Sequence, residues 1–171
     1  MEALNKGESP KLNLTPSEFL STTHLWEGLL ENENTDLTKL KQVLSIFEFS
    51  QRPYFELTEI IEKTLENIED SSIKIFSLGL LQKHCVAASK KLSERVPNST
   101  LIVLKNLLEE NRDPEVLEWV LRTIEQMGSQ SLFFKEQIQK KRPKFYELFN
   151  EHSRMNKKLI HYLEEQWGIK N

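Results

Sequence analysis

One cysteine, five glycines and no long apolar run define what this 171-residue chain does without. A lone Cys85 excludes a disulfide within the chain and fits a reducing compartment. No two glycines lie close together, which excludes a phosphate-cradling glycine loop. No apolar stretch approaches the roughly 20 residues a bilayer-spanning helix needs. The four histidines and Cys85 form neither His-x-x-x-His nor Cys-x-x-Cys, so no metal and no cofactor is expected. Nor does any stretch alternate Val, Ile and Thr as a half-buried strand would, and the expected class is all-α. Residues 1–10 lack the apolar centre of a signal peptide, which makes the cytoplasm the expected location and a membrane partner unexpected.

What the chain has is punctuation. Pro16, Pro53, Pro97 and Pro143 are spaced by 37, 44 and 46 residues, and an apolar helical pattern follows each. Periods of this size mark stacked helical units. The inner two units superpose at an offset of 43 residues. In their second helices, Ile73, Phe76, Leu80, Leu81 and His84 fall on Val116, Trp119, Thr123, Ile124 and Met127. In their first, Leu57, Ile60, Ile61, Thr64 and Leu65 fall on Thr100, Val103, Leu104, Leu107 and Leu108. The steps between them keep each set on one helical face. Leu78 and Leu121 also match, off that face, where they line a groove or pack between units.

Local signals agree with the period. Each proline suits a first helical position, where its missing N–H has no partner to lose. Thr15 with Glu18 has the form of a capping box, Asp113 before Pro114 that of an N-cap, and Gly128 that of a left-handed C-cap. Glu69-Asp70 and Glu109-Glu110 are expected at turns, where acidic side chains cap helices and meet the positive end of the dipole. Asn98-Ser99-Thr100 reads as another helix start. The outer units are looser: Leu37, Leu40, Val43, Leu44 and Phe47 form a second helix in the first. Arg142-Pro143-Lys144-Phe145 echoes Arg52-Pro53-Tyr54-Phe55 in the last. Residues 143–167 read as one long helix or two, with Phe149 among their apolar positions. Residues 1–14 and 169–171 are expected as tails around a single domain at 15–168.

The turn Arg112-Asp113-Pro114-Glu115-Val116, followed by Trp119 and Ile124, resembles the HEAT-repeat pattern, and Asp70-Ser71-Ser72-Ile73 matches it in part. The resemblance implies a short right-handed α-solenoid of about four HEAT- or armadillo-like repeats, and a protein that binds other macromolecules. A third short helix in 86–96 and 129–141 would favour the armadillo form, two helices per unit the HEAT form. The resemblance brings no catalytic residues, and no enzyme is expected. His84 and Cys85 are adjacent, but neighbouring helical residues point about 100° apart and do not hydrogen-bond to each other.

In HEAT-like proteins the second helix of each unit lines a concave surface. The first expectation is therefore a scaffold that binds another protein there, through Lys39, Lys74, Leu78, Gln82, Glu118, Arg122 and Glu125 as exposed positions. The alternative is nucleic-acid binding by the segment 135–158. It holds eight basic residues against three acidic ones, a net of about +5 in a chain of net charge −3. Lys140, Lys141, Arg142, Lys144, Lys157 and Lys158 supply the charge, and Phe133, Phe134, Phe145 and Tyr146 interleave with them as rings on which bases stack.

Overall fold

Five of the helix starts described are set by short polar side chains. The computed structural model describes residues 11–32 and 34–169. Thr15 caps α1 (Pro16–Leu30) with a full capping box: its N–H donates to Glu18 Oε2 at 2.8 Å and its Oγ1 accepts from Glu18 N–H. The Thr15 hydroxyl, which donates to Glu18 Oε2 at 2.7 Å, and the Thr15 N–H hold the Glu18 carboxyl below its ordinary pKa. Asp36 caps α2 (Leu37–Glu48), Asp70 caps α4 (Ser71–Leu81), Asp113 caps α7 (Pro114–Gln126) and Asn150 caps α9 (Glu151–Gln166). Each such cap contributes about 1 kcal/mol by satisfying amide groups the helix leaves without partners. Between them run α3 (Thr58–Asn67), α5 (Ala87–Leu92), α6 (Asn98–Glu110) and α8 (Lys135–Lys140).

The described residues are all-helical apart from one isolated bridge. Consecutive helices pair as α1 with α2, α3 with α4 and α6 with α7. The first members touch in a row, α1 on α3 and α3 on α6, with α8 on α6. The second members form a parallel row of α2, α4, α7 and α9. The apolar side chains that match at the 43-residue offset explain the two layers. All are buried except Phe76 and Trp119, which are half-buried. Leu78 and Leu121 are fully buried too, so they pack between neighbours and line no groove.

Several expectations need correction. Pro16 and Pro114 occupy first helical positions, but Pro97 is itself the N-cap of α6, with extended ψ of 148°. Pro53 and Pro143 stand two residues ahead of the 3-10 turns Phe55–Leu57 and Phe145–Phe149. Glu109 and Glu110 end α6 at its negative pole; only Asp70 of the acidic pairs is a cap. The third helix exists in one inner unit alone. There Gly128, at φ +59°, stops α7, and a 3-10 turn (Gly128–Phe134) leads into α8. In the other, α4 runs on through a π-helical turn (Gln82–Val86) into α5. Residues 145–166 are one 3-10 turn and one helix. Of the expected N-terminal tail, residues 1–10 lie outside the described residues. Leu12 exchanges two 2.9 Å backbone bonds with Phe49 and Gln51, and Leu14 packs on the core. Of the C-terminal tail, 170 and 171 lie outside, while Ile169 N–H donates to Glu164 O and closes α9.

The π turn has a structural role. It brings Lys83 and His84 together on the carboxyl end of α2. Lys83 Nζ donates to the carbonyls of Phe47, Glu48 and Ser50. His84 accepts from Tyr54 N–H at Nδ1 (2.9 Å), which puts its proton on Nε2, 3.1 Å from Phe47 O. Carbonyls at and just beyond the end of one helix are thus bonded by side chains of another.

Candidate functional site

The expected concave row does not form one exposed surface. Lys39 is exposed, beside Asp36 at 3.7 Å. Lys74 is buried, with Nζ on Glu69 at 2.9 Å, and Leu78 is 0% exposed. Gln82 is half-buried; it donates to Thr123 Oγ1 and accepts from Gln126. Glu118, with 12% of its side chain exposed, takes two bonds from Arg122 and one from His152 Nδ1 at 2.9 Å. Glu125 is half-buried. The reason is position: α4 lies among α2, α3 and α7, and α9 packs along α7, so its His152 reaches the row.

The basic segment behaves differently. Lys140, Arg142, Lys144, Lys157 and Lys158 are exposed and Lys141 is half-buried. Lys140, Lys141, Arg142 and Lys144 converge with Arg112 on a recess of about 290 Å³ whose other walls include Pro114, Glu147, Ser153 and Asn156. Lys141 Nζ donates to Glu109 O and Asn111 O, and burial pushes its pKa down. Arg142 binds the buried Glu164 carboxylate through bonds of 2.6 Å to each oxygen. Asn156 is buried; its amide nitrogen donates to Pro114 O, while its Oδ1 has no hydrogen-bond partner. Lys157 lines an adjoining recess of about 340 Å³ with Arg142, Pro143 and Ile160. Lys158 lines neither.

Beside the first recess stands a cluster of aromatic rings. Phe145 is 84% exposed, Tyr146 64% and Phe149 82%, all in the one 3-10 turn. Lys144 Nζ lies 5.9 Å from the centre of the Tyr146 ring, tying recess and rings together. Phe133 is half exposed, but Phe134 is core. Phe149 escaped the sequence reading, which placed it on an apolar helical face. The signal that finds it is Asn150. As N-cap it restarts the helix, leaving Phe149 just outside, where a hydrophobic residue usually packs on the fourth helical position. That position is Arg154, which instead donates to the carbonyls of Leu148 and Phe149. The ring has no apolar partner there and stays in water.

A larger recess, about 680 Å³, meets the first at Asn111 and Arg112. Leu65, Val103 and Leu107 line it, with Glu66, Glu69 and Glu110 around them, and its Lys74 is already paired. His84 and Cys85 share no bond: Cys85 Sγ lies 3.7 Å from Thr100 Oγ1. Burial pushes the His84 pKa down to about 4 and the Cys85 thiol up, so the pair rests as neutral imidazole and thiol. Among the described residues no group of three His, Cys, Asp or Glu is placed to hold a metal, and no helix is long and apolar enough to cross a membrane. No family model matches the chain, and neither does any curated protein or solved structure.

Proposed function

We propose that this chain is a non-enzymatic binding module: a short α-solenoid of the HEAT or armadillo kind that grips another macromolecule by its C-terminal aromatic and cationic face. One observation carries the reading. Phe145 and Phe149 stand 84% and 82% exposed within five residues, between Arg142 and Lys144 on one side and Arg154 on the other. Burying a phenylalanine is worth about 1.5–3 kcal/mol, and a folded protein rarely leaves two neighbouring rings in water without use. Exposed aromatic side chains beside arginine match the residue types enriched at interfaces. In the concave row, by contrast, Lys74 pairs with Glu69 and Arg122 with Glu118 within the fold.

The test is capture of binding partners by the tagged protein and by two variants of unchanged helicity. Phe145→Ala with Phe149→Ala is expected to lose the captured partner, while Lys39→Glu, on the other row, keeps it. Retention by the double variant with loss in Lys39→Glu would return the site to the concave row.

A further inference from the structure

We propose that the occupant of this face is single-stranded nucleic acid, with a backbone phosphate in the recess between the α6–α7 turn and Lys144, and unpaired bases stacked on Phe145, Tyr146 and Phe149. This rests on the reading of the face as the contact surface and names what it contacts.

Charge comes first. The segment 135–158 carries about +5 while the rest of the chain carries about −8. The exposed rings beside the cations favour a strand with unpaired bases, since a duplex or a membrane offers no free base faces to stack on them. Within the patch the cations divide into two kinds. Lys141 and Arg142 are held by carbonyls and by Glu164, and so build the wall of the recess. Arg112, Lys140 and Lys144 line the same recess from exposed positions and outweigh the one carboxylate in it, Glu147, which accepts from the Lys144 N–H. At about 290 Å³ the recess takes a phosphate with part of its sugar.

Geometry comes second. Lys144 belongs to both halves: it lines the recess, and its Nζ is 5.9 Å from the Tyr146 ring centre. A phosphate held by Lys144 therefore lies close to an aromatic ring. A base stacked on such a ring contributes about 1–3 kcal/mol and needs no particular sequence.

The experiment is fluorescence anisotropy with the full chain and a labelled oligothymidylate of about 12 nucleotides, run beside a duplex of equal length, polyglutamate and phosphatidylserine vesicles, over a range of salt. The strand is expected to bind more tightly than the duplex. Phe145→Ala with Phe149→Ala should weaken it by at least about tenfold at unchanged salt slope. Lys140→Gln with Lys144→Gln should lower the salt slope by roughly 1.4, the share of two phosphates on a single strand. Duplex binding equal to the strand, indifferent to the phenylalanines, would overturn the stacking assignment. Binding of polyglutamate or vesicles in place of the strand, still dependent on Phe145 and Phe149, would overturn the nucleic acid and keep the face. No dependence on those rings for any probe overturns both.

Discussion

Arg52-Pro53-Tyr54-Phe55 and Arg142-Pro143-Lys144-Phe145 are near repeats in sequence and in backbone, since each leads through a 3-10 turn to a helix. Their surroundings differ in degree at the matched phenylalanines, Phe55 at 38% and Phe145 at 84% exposed, and in kind at the residue before, where Tyr54 is core and Lys144 is surface. Tyr54 is 6% exposed, with Phe19 at 4.8 Å, His84 at 6.0 Å and Phe47 at 6.4 Å between ring centres, and the Arg52 guanidinium 4.9 Å from its own. Phe145 and Phe149 face water. Local propensity does not separate the two, because it makes the same turn in both. Coverage does: α1 brings Phe19 and the π turn brings His84 over the first, and no element among the described residues closes over the second. An apolar segment becomes core or contact surface according to whether another part of the chain returns to it.

The contrast is most easily broken by truncating a ring on each side. Phe47, fully buried against Phe19, Trp26 and Tyr54, should cost about 3–5 kcal/mol as Phe47→Ala. Phe149→Ala should change stability by less than about 0.5 kcal/mol. Urea midpoints of the two variants decide it. A loss of several kcal/mol at Phe149 would mean that the exposed turn is packed in solution.

Next in size is the pH effect of the covered side. Burial holds the folded-state pKa of His84 at about 4, against 6.5 for the ordinary side chain. Between those values the unfolded chain takes up a proton that the native protein refuses. His84's contribution is therefore complete above about pH 6.5 and is lost as pH falls toward 4, a decline of roughly 3 kcal/mol. His152 has the opposite sign. Its bond to Glu118 raises its pKa, so its contribution is present below the unfolded value and disappears as pH rises through the raised one. His84→Gln should be less stable at pH 7 but have a flatter acid limb. An unchanged slope in urea titrations at pH 7, 6, 5 and 4 would place the ring in water and erase the difference between the two segments.

Much of the covered side is legible in sequence because its determinants are local. Asp70 and Asp113 cap from one residue ahead of their helices, and the matched apolar positions need only a helical period to be found. Gly128 marks its own stop. What the sequence conceals depends on distant chain. Lys74 and Leu78 look like one side of a second helix, and only the packing of α2, α3 and α7 around α4 buries them. Lys83 resembles any surface lysine until the end of α2 arrives beneath it. On the open side the charge was readable and its division was not: Arg142 and Lys141 turn out to be structural, while Phe149, read as apolar helix, is the most exposed ring after Phe145.

The smallest expected effect isolates the helix ends that lead to the two sides. The helix that carries His84 over Tyr54 ends at Ser93, in left-handed backbone at φ 57°, with Glu94 N–H on Ser89 O and Ser93 N–H on Lys90 O. The helix ahead of the open side ends at Gly128, at φ +59°, where an added Cβ would meet nothing within 4 Å. The two positions share a conformation that penalises any side chain and differ in whether one is present. Ser93→Gly should stabilise by about 0.5 kcal/mol, the relief of strain exceeding the extra freedom glycine gives the unfolded chain, and Gly128→Ala should destabilise by about 1 kcal/mol. Thermal midpoints moving in opposite directions, with binding by the exposed rings unchanged in both, would show that coverage and not helix termination distinguishes the two segments. Loss of binding in Gly128→Ala would show instead that the open face depends on how the preceding helix ends.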